Sequence, residues 1–334
     1  MNRKNLKAFA LSAIRSSGLM SAVRHLFAGR GSILMFHEIH EPGDGELRTG
    51  VPVTFFAELL PWLQNNGWRI VSMDECARLL EEQDSGSRFV VITFDDGYRD
   101  NVTKALPLLE RYNAPFTVYI PTGAIDRTLP SWWLGLRELF RGNAALDFSP
   151  MDTRFHCTSA DEKGAALEDV CSWIHADYRR LSSLDSVFEA HGISLPALND
   201  AYFLDQNGLI QLAAHPLATI GGHTVSHPPL TLLEDSEALG EMADNRRYLT
   251  DLLQREIRHF AYPYGNCGSR EFSIAERAGF TTAVTTRDSS VIDVDDATYA
   301  LPRLGLGHGD TIPTFDGRIS GLGRAYNAVL PRRA

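Results

Sequence analysis

Short runs rich in apolar residues recur along the chain, and between them apolar residues return every three or four positions. The runs are Ser32–His37, Trp68–Val71, Phe89–Phe94, Pro115–Ile120, Leu217–His223, a segment ending Phe260-Ala261-Tyr262-Pro263-Tyr264-Gly265, Thr281–Thr285 and Leu301–Leu304. Continuous rather than alternating apolarity predicts strands buried on both faces, as in a parallel sheet. The intervening stretches predict helices. Thr54 is placed to cap one whose inner face is Phe55, Leu59, Trp62 and Leu63, with Gly67 as its stop. Others run from about Asp74 to Glu82, after Asp100 as a cap with Ala105, Leu108 and Leu109 inward, from Asp235 to Leu253, and near 270–278. Strand and helix in alternation imply crossover connections. About seven such units suit an α/β fold closed, or nearly closed, as a distorted (β/α)7-type barrel. Residues 129–212 break the rhythm with short helical patterns, many charges and the pair Trp132-Trp133. They predict a mainly helical insertion over or beside the site, with Ser131–Phe140 one of its helices and at most one of the two tryptophans facing a groove.

Chemistry collects where the runs end. The run Phe89–Phe94 stops in Asp95, Asp96 and Gly97. Neighbouring side chains on a strand face opposite ways, so two adjacent carboxylates share one site only if the chain turns, and Gly97 permits that. The plainer reading is a solvated strand-end turn. The run Leu217–His223 leads into His223-Thr224-Val225-Ser226-His227-Pro228. Two histidines four apart on a helical turn share a face and can share a metal. Two imidazoles and one carboxylate, with positions open to water and substrate, make a hydrolytic zinc site, and a second carboxylate is then available as general base.

Charge narrows the partners. The net charge is -10 over 334 residues, yet residues 1–30 hold six basic residues and no acid. So acidic a body argues against nucleic acid as partner. The basic head mixes its charges with apolar residues at helical spacing and lacks the unbroken apolar core of a signal peptide, so it is expected to be an amphipathic helix or helix pair. It is expected either to pack on the domain or to touch an anionic membrane surface. A cytoplasmic location, with peripheral contact at the inner membrane face, is the corresponding expectation. Cys76, Cys157, Cys171 and Cys267 are scattered and suggest neither disulfides nor a cysteine metal site. No stretch has the roughly twenty apolar residues of a membrane span.

With both motifs in hand, the chain resembles the NodB-homology polysaccharide deacetylases, carbohydrate esterase family 4. Thr93-Phe94-Asp95-Asp96-Gly97 is similar to the family's first motif and His223-Thr224-Val225-Ser226-His227 to its second, and the likeness extends over roughly 31–320. The resemblance implies a NodB-like barrel and a metal-dependent hydrolase that removes acetyl groups from N-acetylhexosamine units of a poly- or oligosaccharide, such as an exopolysaccharide precursor or a lipid-linked sugar. It implies Asp95 as the base, Asp96, His223 and His227 as metal ligands, and the backbone N–H of Tyr264 as an oxyanion donor. Zinc is the implied metal, though such a ligand set also tolerates cobalt, nickel or manganese. Two departures bear on the site. Ala261 stands where the family's third motif often carries an arginine; the form found here, Phe260-Ala261-Tyr262-Pro263-Tyr264-Gly265, resembles the branch that deacetylates poly-N-acetylglucosamine, and Arg303 is the candidate replacement. A late Leu-x-His motif is missing, and His37, in Met35-Phe36-His37, is preferred over His308 as general acid. Trp132, Trp133, Tyr262 and Tyr264 are candidates to stack on sugar rings or to fill the core. The chain thus divides into a basic segment 1–30, a barrel domain 31–320 with its insertion at 129–212, and a basic tail 321–334. The competing functions are a glycoside hydrolase using Asp95 and Asp96, which adjacent residues are poorly spaced to be, and an inactive carbohydrate-binding relative.

Overall fold

Eight parallel strands carry the apolar runs: β1 (Gly31–Phe36), β2 (Arg69–Val71), β3 (Phe89–Phe94), β4 (Phe116–Ile120), β5 (Ala218–Gly222), β6 (His259–Ala261), β7 (Thr282–Asp288) and β8 (Leu301–Gly305). The computed structural model describes residues 29–42, 47, 50–82, 88–289 and 298–322. The proposed basic head and most of the C-terminal tail therefore lie outside the described residues. Seven strands close a ring in the order β1-β8-β7-β6-β5-β4-β3, with β3 returning to pair with β1 over its whole length. This is the expected seven-stranded barrel. The eighth strand, β2, is outside the ring. It pairs with Phe89–Val91 at the start of β3, while β4 takes Ile92–Phe94 on the same edge.

Side chains alternate between two faces, as the pleat requires. Ile33, Val91, Tyr119, Ala261, Val284 and Leu301 form one buried cluster, joined by Met73, Cys76 and Leu79 of the helix Met73–Glu81. Their neighbours Leu34, Val90, Ile92, Val118 and Phe260 join a larger cluster with the outer helices. A Cβ on Gly221 would come within 2.4 Å of the Tyr119 ring, so a large aromatic on β4 is accommodated by a bare backbone on β5.

Helix boundaries depart from the sequence reading in two places. The helix Val53–Asn65 begins before Thr54; Pro52 holds the N-cap position, and Thr54 falls in the first turn. Asp100 does not cap through its side chain. The carboxylate instead accepts from Asn101 Nδ2 (3.1 Å), and Asn101–Ala105 forms a π-helical turn. Such turns hold a wider ring of backbone and are frequent near functional sites. The helix Asp235–Leu253 buries Ala238, Met242, Asn245 and Leu249, an inward stripe with one polar member.

The insertion is largely helical, with Trp132–Gly142, Ala160–Ala176, Leu184–Ala190, Leu195–Tyr202 and Gln206–Ala213. It also contains an antiparallel pair, Ala145–Phe148 with Thr153–His156, which the helical expectation missed. Its own core includes Leu136, Phe140, Phe148, Phe155, Val170, Ile174 and Phe188. A fully buried ion pair ties it to the barrel. Arg137 donates to Glu38 Oε1 (2.9 Å) and to Oε2, with Nε on Leu47 O (3.1 Å). None of the described helices is long and apolar enough to cross a membrane.

Candidate metal centre and buried carboxylate pair

The site lies at the C-terminal ends of β3 and β5, where parallel barrels carry their chemistry. β3 is followed directly by Asp95, and the next two residues turn the chain with positive φ, 70° at Asp96 and 73° at Gly97. That turn lets adjacent carboxylates serve neighbouring partners. After β5, Thr224 (φ 67°) and His227 (φ 56°) also take the left-handed conformation. Left-handed non-glycine residues cost energy, and a β-branched threonine more than most, so something must hold them.

One helix does the holding. Asn245, wholly buried, accepts from His223 N (3.2 Å) and donates to Ile120 O (2.9 Å) and to Thr224 O. One turn earlier on the same face, Glu241 accepts from Val225 N (2.8 Å), Ser226 N (2.9 Å) and Ser226 Oγ (2.7 Å). Thr224 Oγ1 accepts from His227 N (3.0 Å). The loop between the two histidines is thus fastened at nearly every peptide. The sequence reading missed both residues, although Asn245 left a signal as the polar member of an apolar stripe.

His223 Nε2 and His227 Nε2 stand 3.2 Å apart, and each is 3.5 Å from Asp96 Oδ1. All three residues are buried, and Asp96 Oδ1 has no hydrogen-bond partner. Ligands about 2.0–2.2 Å from one tetrahedral ion are roughly 3.3–3.6 Å apart, so the spacing suits a divalent ion such as zinc. His223 Nδ1 donates to Ala261 O (2.7 Å), which turns the lone pair of Nε2 toward the cluster. Burial, followed by the nearness of His223, lowers the His227 imidazole to about 3, whereas at His223 burial is outweighed by Asp96 and Asp95, which raise it, so an ion bound by both would displace a proton from His223.

Asp95 has a separate partner. Arg303, fully buried on β8, sends Nη1 to Asp95 Oδ1 and Nη2 to Oδ2, both at 2.7 Å. Its Nε donates to Thr285 O (2.9 Å), and its guanidinium lies 5.7 Å from the Tyr119 ring centre. Burial pushes the Asp95 carboxyl up, but the charges of Arg303 and His223 outweigh it and hold Asp95 well below the usual carboxylate range. Ala261, on β6, contributes its backbone carbonyl rather than a cation.

His37 follows β1 directly and is half-buried, its carbonyl accepting from Asn101 Nδ2 (2.8 Å). Its imidazole lies within electrostatic reach of Asp95, Asp96 and His227. His308 is exposed and stacks on His40 (5.4 Å). Tyr264 follows β6 with φ 58°. Its ring meets the His227 ring edge-on (4.5 Å), and its hydroxyl accepts from Trp132 Nε1 (2.8 Å). Trp133 lies 5.2 Å from His227 and donates to Tyr98 OH (2.7 Å). Of the four aromatics offered for sugar stacking, Tyr262 and Trp132 are buried, which removes them from that role, and only Trp133 and Tyr264 keep partial exposure.

A comparison with protein-family profiles matches residues 82–283 to polysaccharide deacetylases. Among curated proteins, the chain is 23% identical to YxkH of Bacillus subtilis, named as a candidate polysaccharide deacetylase, over 87% of this chain and 76% of that protein. It is 26% identical to the poly-beta-1,6-N-acetyl-D-glucosamine N-deacetylase of Escherichia coli, over 32% of this chain but only 18% of that protein. Among solved structures, the Streptococcus pyogenes deacetylase PplD, in complex with acetate, superposes with a TM-score of 0.58 at 19% identity, over 85% of this chain and 94% of that one. At that identity the superposition speaks for the fold.

Proposed function

We propose a reaction for this chain from the premise that it belongs to the polysaccharide deacetylase family: hydrolysis of the acetamide on N-acetylhexosamine units of an oligo- or polysaccharide, giving acetate and a free amine. The observation that carries it is the pairing of two differently employed carboxylates, Asp95 locked to Arg303 and Asp96 facing two imidazole nitrogens. A glycoside hydrolase needs two carboxyl groups set across one bond, about 5–9.5 Å apart. Here each is already committed to a different neighbour.

Asp96, His223 and His227 would hold the ion. Bound there, a divalent metal supplies Lewis acidity, polarising the acetyl carbonyl and bringing the pKa of water toward about 7. The chain's own groups do the rest. Asp95, kept ionised by Arg303, takes a proton from the attacking water. The water oxygen bonds to the carbonyl carbon, and the backbone N–H of Tyr264 donates to the developing oxyanion. His37 gives a proton to the nitrogen as the C–N bond breaks, so that it leaves as an amine. Support for a glucosamine-type chain comes from the E. coli relative, whose printed activity is on poly-beta-1,6-N-acetyl-D-glucosamine. Acetate release from N-acetylglucosamine oligomers by zinc-loaded protein tests the proposal; no release from either β-1,4- or β-1,6-linked oligomers would overturn it.

A further inference from the structure

His227 lacks the usual outer support of a metal-binding histidine. A ligating imidazole almost always donates its second ring N–H to a carboxylate, a carbonyl or water, and that bond fixes the orientation of the ring. His223 follows the rule, through Nδ1 and Ala261 O (2.7 Å). His227 Nδ1 is buried and has no hydrogen-bond partner among the described residues. Its imidazole must be turned toward Asp96 and His223 by something other than a polar bond.

Rings surround it instead. The Tyr264 ring centre is 4.5 Å from that of His227 at an interplanar angle of 74°, and the Trp133 ring is 5.2 Å away at 56°. Neither belongs to the ligand loop. Tyr264 follows β6, and Trp133 opens the helix Trp132–Gly142 of the insertion. At these spacings the rings are in contact, and a close-packed imidazole has little room to rotate.

The two supports are themselves fastened by a matched pair of bonds. Trp133 Nε1 donates to Tyr98 OH (2.7 Å), and Trp132 Nε1 donates to Tyr264 OH (2.8 Å). Successive helical residues point about 100° apart. The two indoles accordingly stand at 90° to one another, 5.9 Å between centres, and one turn of helix reaches two barrel loops. Tyr98 is buried and lies two residues beyond Asp96. Trp133 therefore lays its ring against one ligand and ties its N–H to the loop that carries another. One turn further along, Arg137 anchors the same helix to the barrel through its buried pair with Glu38.

We propose that Trp133 and Tyr264 are positioning residues for His227, an aromatic clamp that takes the place of the missing second hydrogen bond and makes the insertion part of the metal centre. The inference rests on Asp96, His223 and His227 holding a divalent ion and not on the deacetylase reaction, so metal affinity reads it without turnover.

The test is a competition titration of zinc against a chromophoric chelator, on the full-length protein and on Trp133→Ala, Trp133→Leu, Trp133→Phe and Phe155→Ala, with melting temperatures recorded for each. Phe155 packs on Phe140 and Phe148 in the core of the insertion, so Phe155→Ala damages that core without removing a ring from His227. Trp133→Ala should weaken zinc about 10- to 100-fold, as loss of an outer support does, and Trp133→Leu, which keeps apolar bulk without a ring, carries the test should Trp133→Ala not fold. Trp133→Phe should recover most of the loss. Phe155→Ala should melt lower and bind zinc as the wild type does. With cobalt in place of zinc, the visible absorption bands report ligand geometry, and they should shift in Trp133→Ala but not in Phe155→Ala. Unchanged affinity and an unchanged cobalt spectrum without the Trp133 ring would overturn the clamp. So would equal losses in the Trp133 and Phe155 variants, or a Trp133→Phe variant as weak as Trp133→Ala. Zinc binding as expected with no acetate release would overturn the reaction and leave the clamp standing. A wild type that binds no zinc would overturn the metal centre and the clamp together.

Discussion

Replacing Arg303 with Met tests what keeps Asp95 charged. The substitution leaves an unbranched stem of similar length but removes both 2.7 Å hydrogen bonds and the only cation in direct contact with that carboxylate among the described residues. Breaking a buried pair by deleting one partner typically costs about 3–5 kcal/mol, because a bare charge is left behind. With Arg303 present the Asp95 pKa is depressed, so the group contributes stability above its unfolded pKa that is lost as pH falls through the folded value. Without Arg303, burial becomes the dominant influence and can raise a carboxyl by about 3–5 units. The sign then reverses: Asp95 destabilises the folded variant at neutral pH, and the deficit against wild type narrows as acid protonates it. A general base accounts for about 10²–10⁴ in rate, so kcat/KM at pH 7 should fall by about 10²-fold or more. The loss should be partly recovered toward pH 9, because the acid limb has moved to higher pH. Asp95→Asn should lose a similar factor without recovery. The sharpest readout is the double variant. Asp95→Asn in the Arg303→Met background removes the unpaired charge, so it should melt higher than Arg303→Met alone, with a coupling of about 1–3 kcal/mol. An unshifted acid limb in Arg303→Met, or a double variant no more stable than the single, would refute the assignment of Arg303 as the group that holds Asp95 ionised.

Chelation of the metal should abolish acetate release, and added zinc should restore it and raise the melting temperature; release that persists through exhaustive dialysis against chelator would remove the Asp96–His223–His227 centre from the reaction. His37→Ala should lower kcat sharply while bound zinc, measured by metal analysis, stays stoichiometric; unchanged turnover excludes His37 as the acid. Asn245→Ala leaves His223 N without its partner and takes one donor from Ile120 O and from Thr224 O, the latter still accepting from Thr122 N (3.1 Å), at about 1–3 kcal/mol for a group left buried and unpaired. It should weaken zinc about 10- to 100-fold in a competition titration, as loss of a supporting residue does; wild-type affinity would show that the loop holds its shape without the helix.

What the sequence made legible was local. Apolar runs marked the strands, and the polar residues that abruptly ended them marked the site, because in a parallel barrel both follow from one chain direction. The same pattern could not show that β2 stays outside the ring, since its three residues, of which only Val71 is buried, are too few to separate an edge strand from a ring strand. It misplaced the Thr54 cap by the one or two residues by which helix ends ordinarily vary. It passed over the Ala145–Phe148 hairpin, where only four residues alternate, too short a window to separate strand from helix. Contacts between distant segments were the hardest to read. Arg303 could be named as a candidate because a missing cation created the question, whereas Glu241, and Glu38 with Arg137, raised no such question in the sequence. Asn245 was half-legible, a polar residue in an inward stripe whose partners 21 to 125 positions away could not be guessed.

The Glu241 and Asn245 fastenings have a consequence for variants of the helix that carries them. Small zinc modules draw much of their folding free energy from the ion. Here the peptides between the two histidines are held by Glu241 and Asn245, and His227 N by Thr224 Oγ1. Changes on that helix would therefore reach the metal centre without touching a ligand, and a variant there would be read first as lost metal rather than as a lost catalytic group.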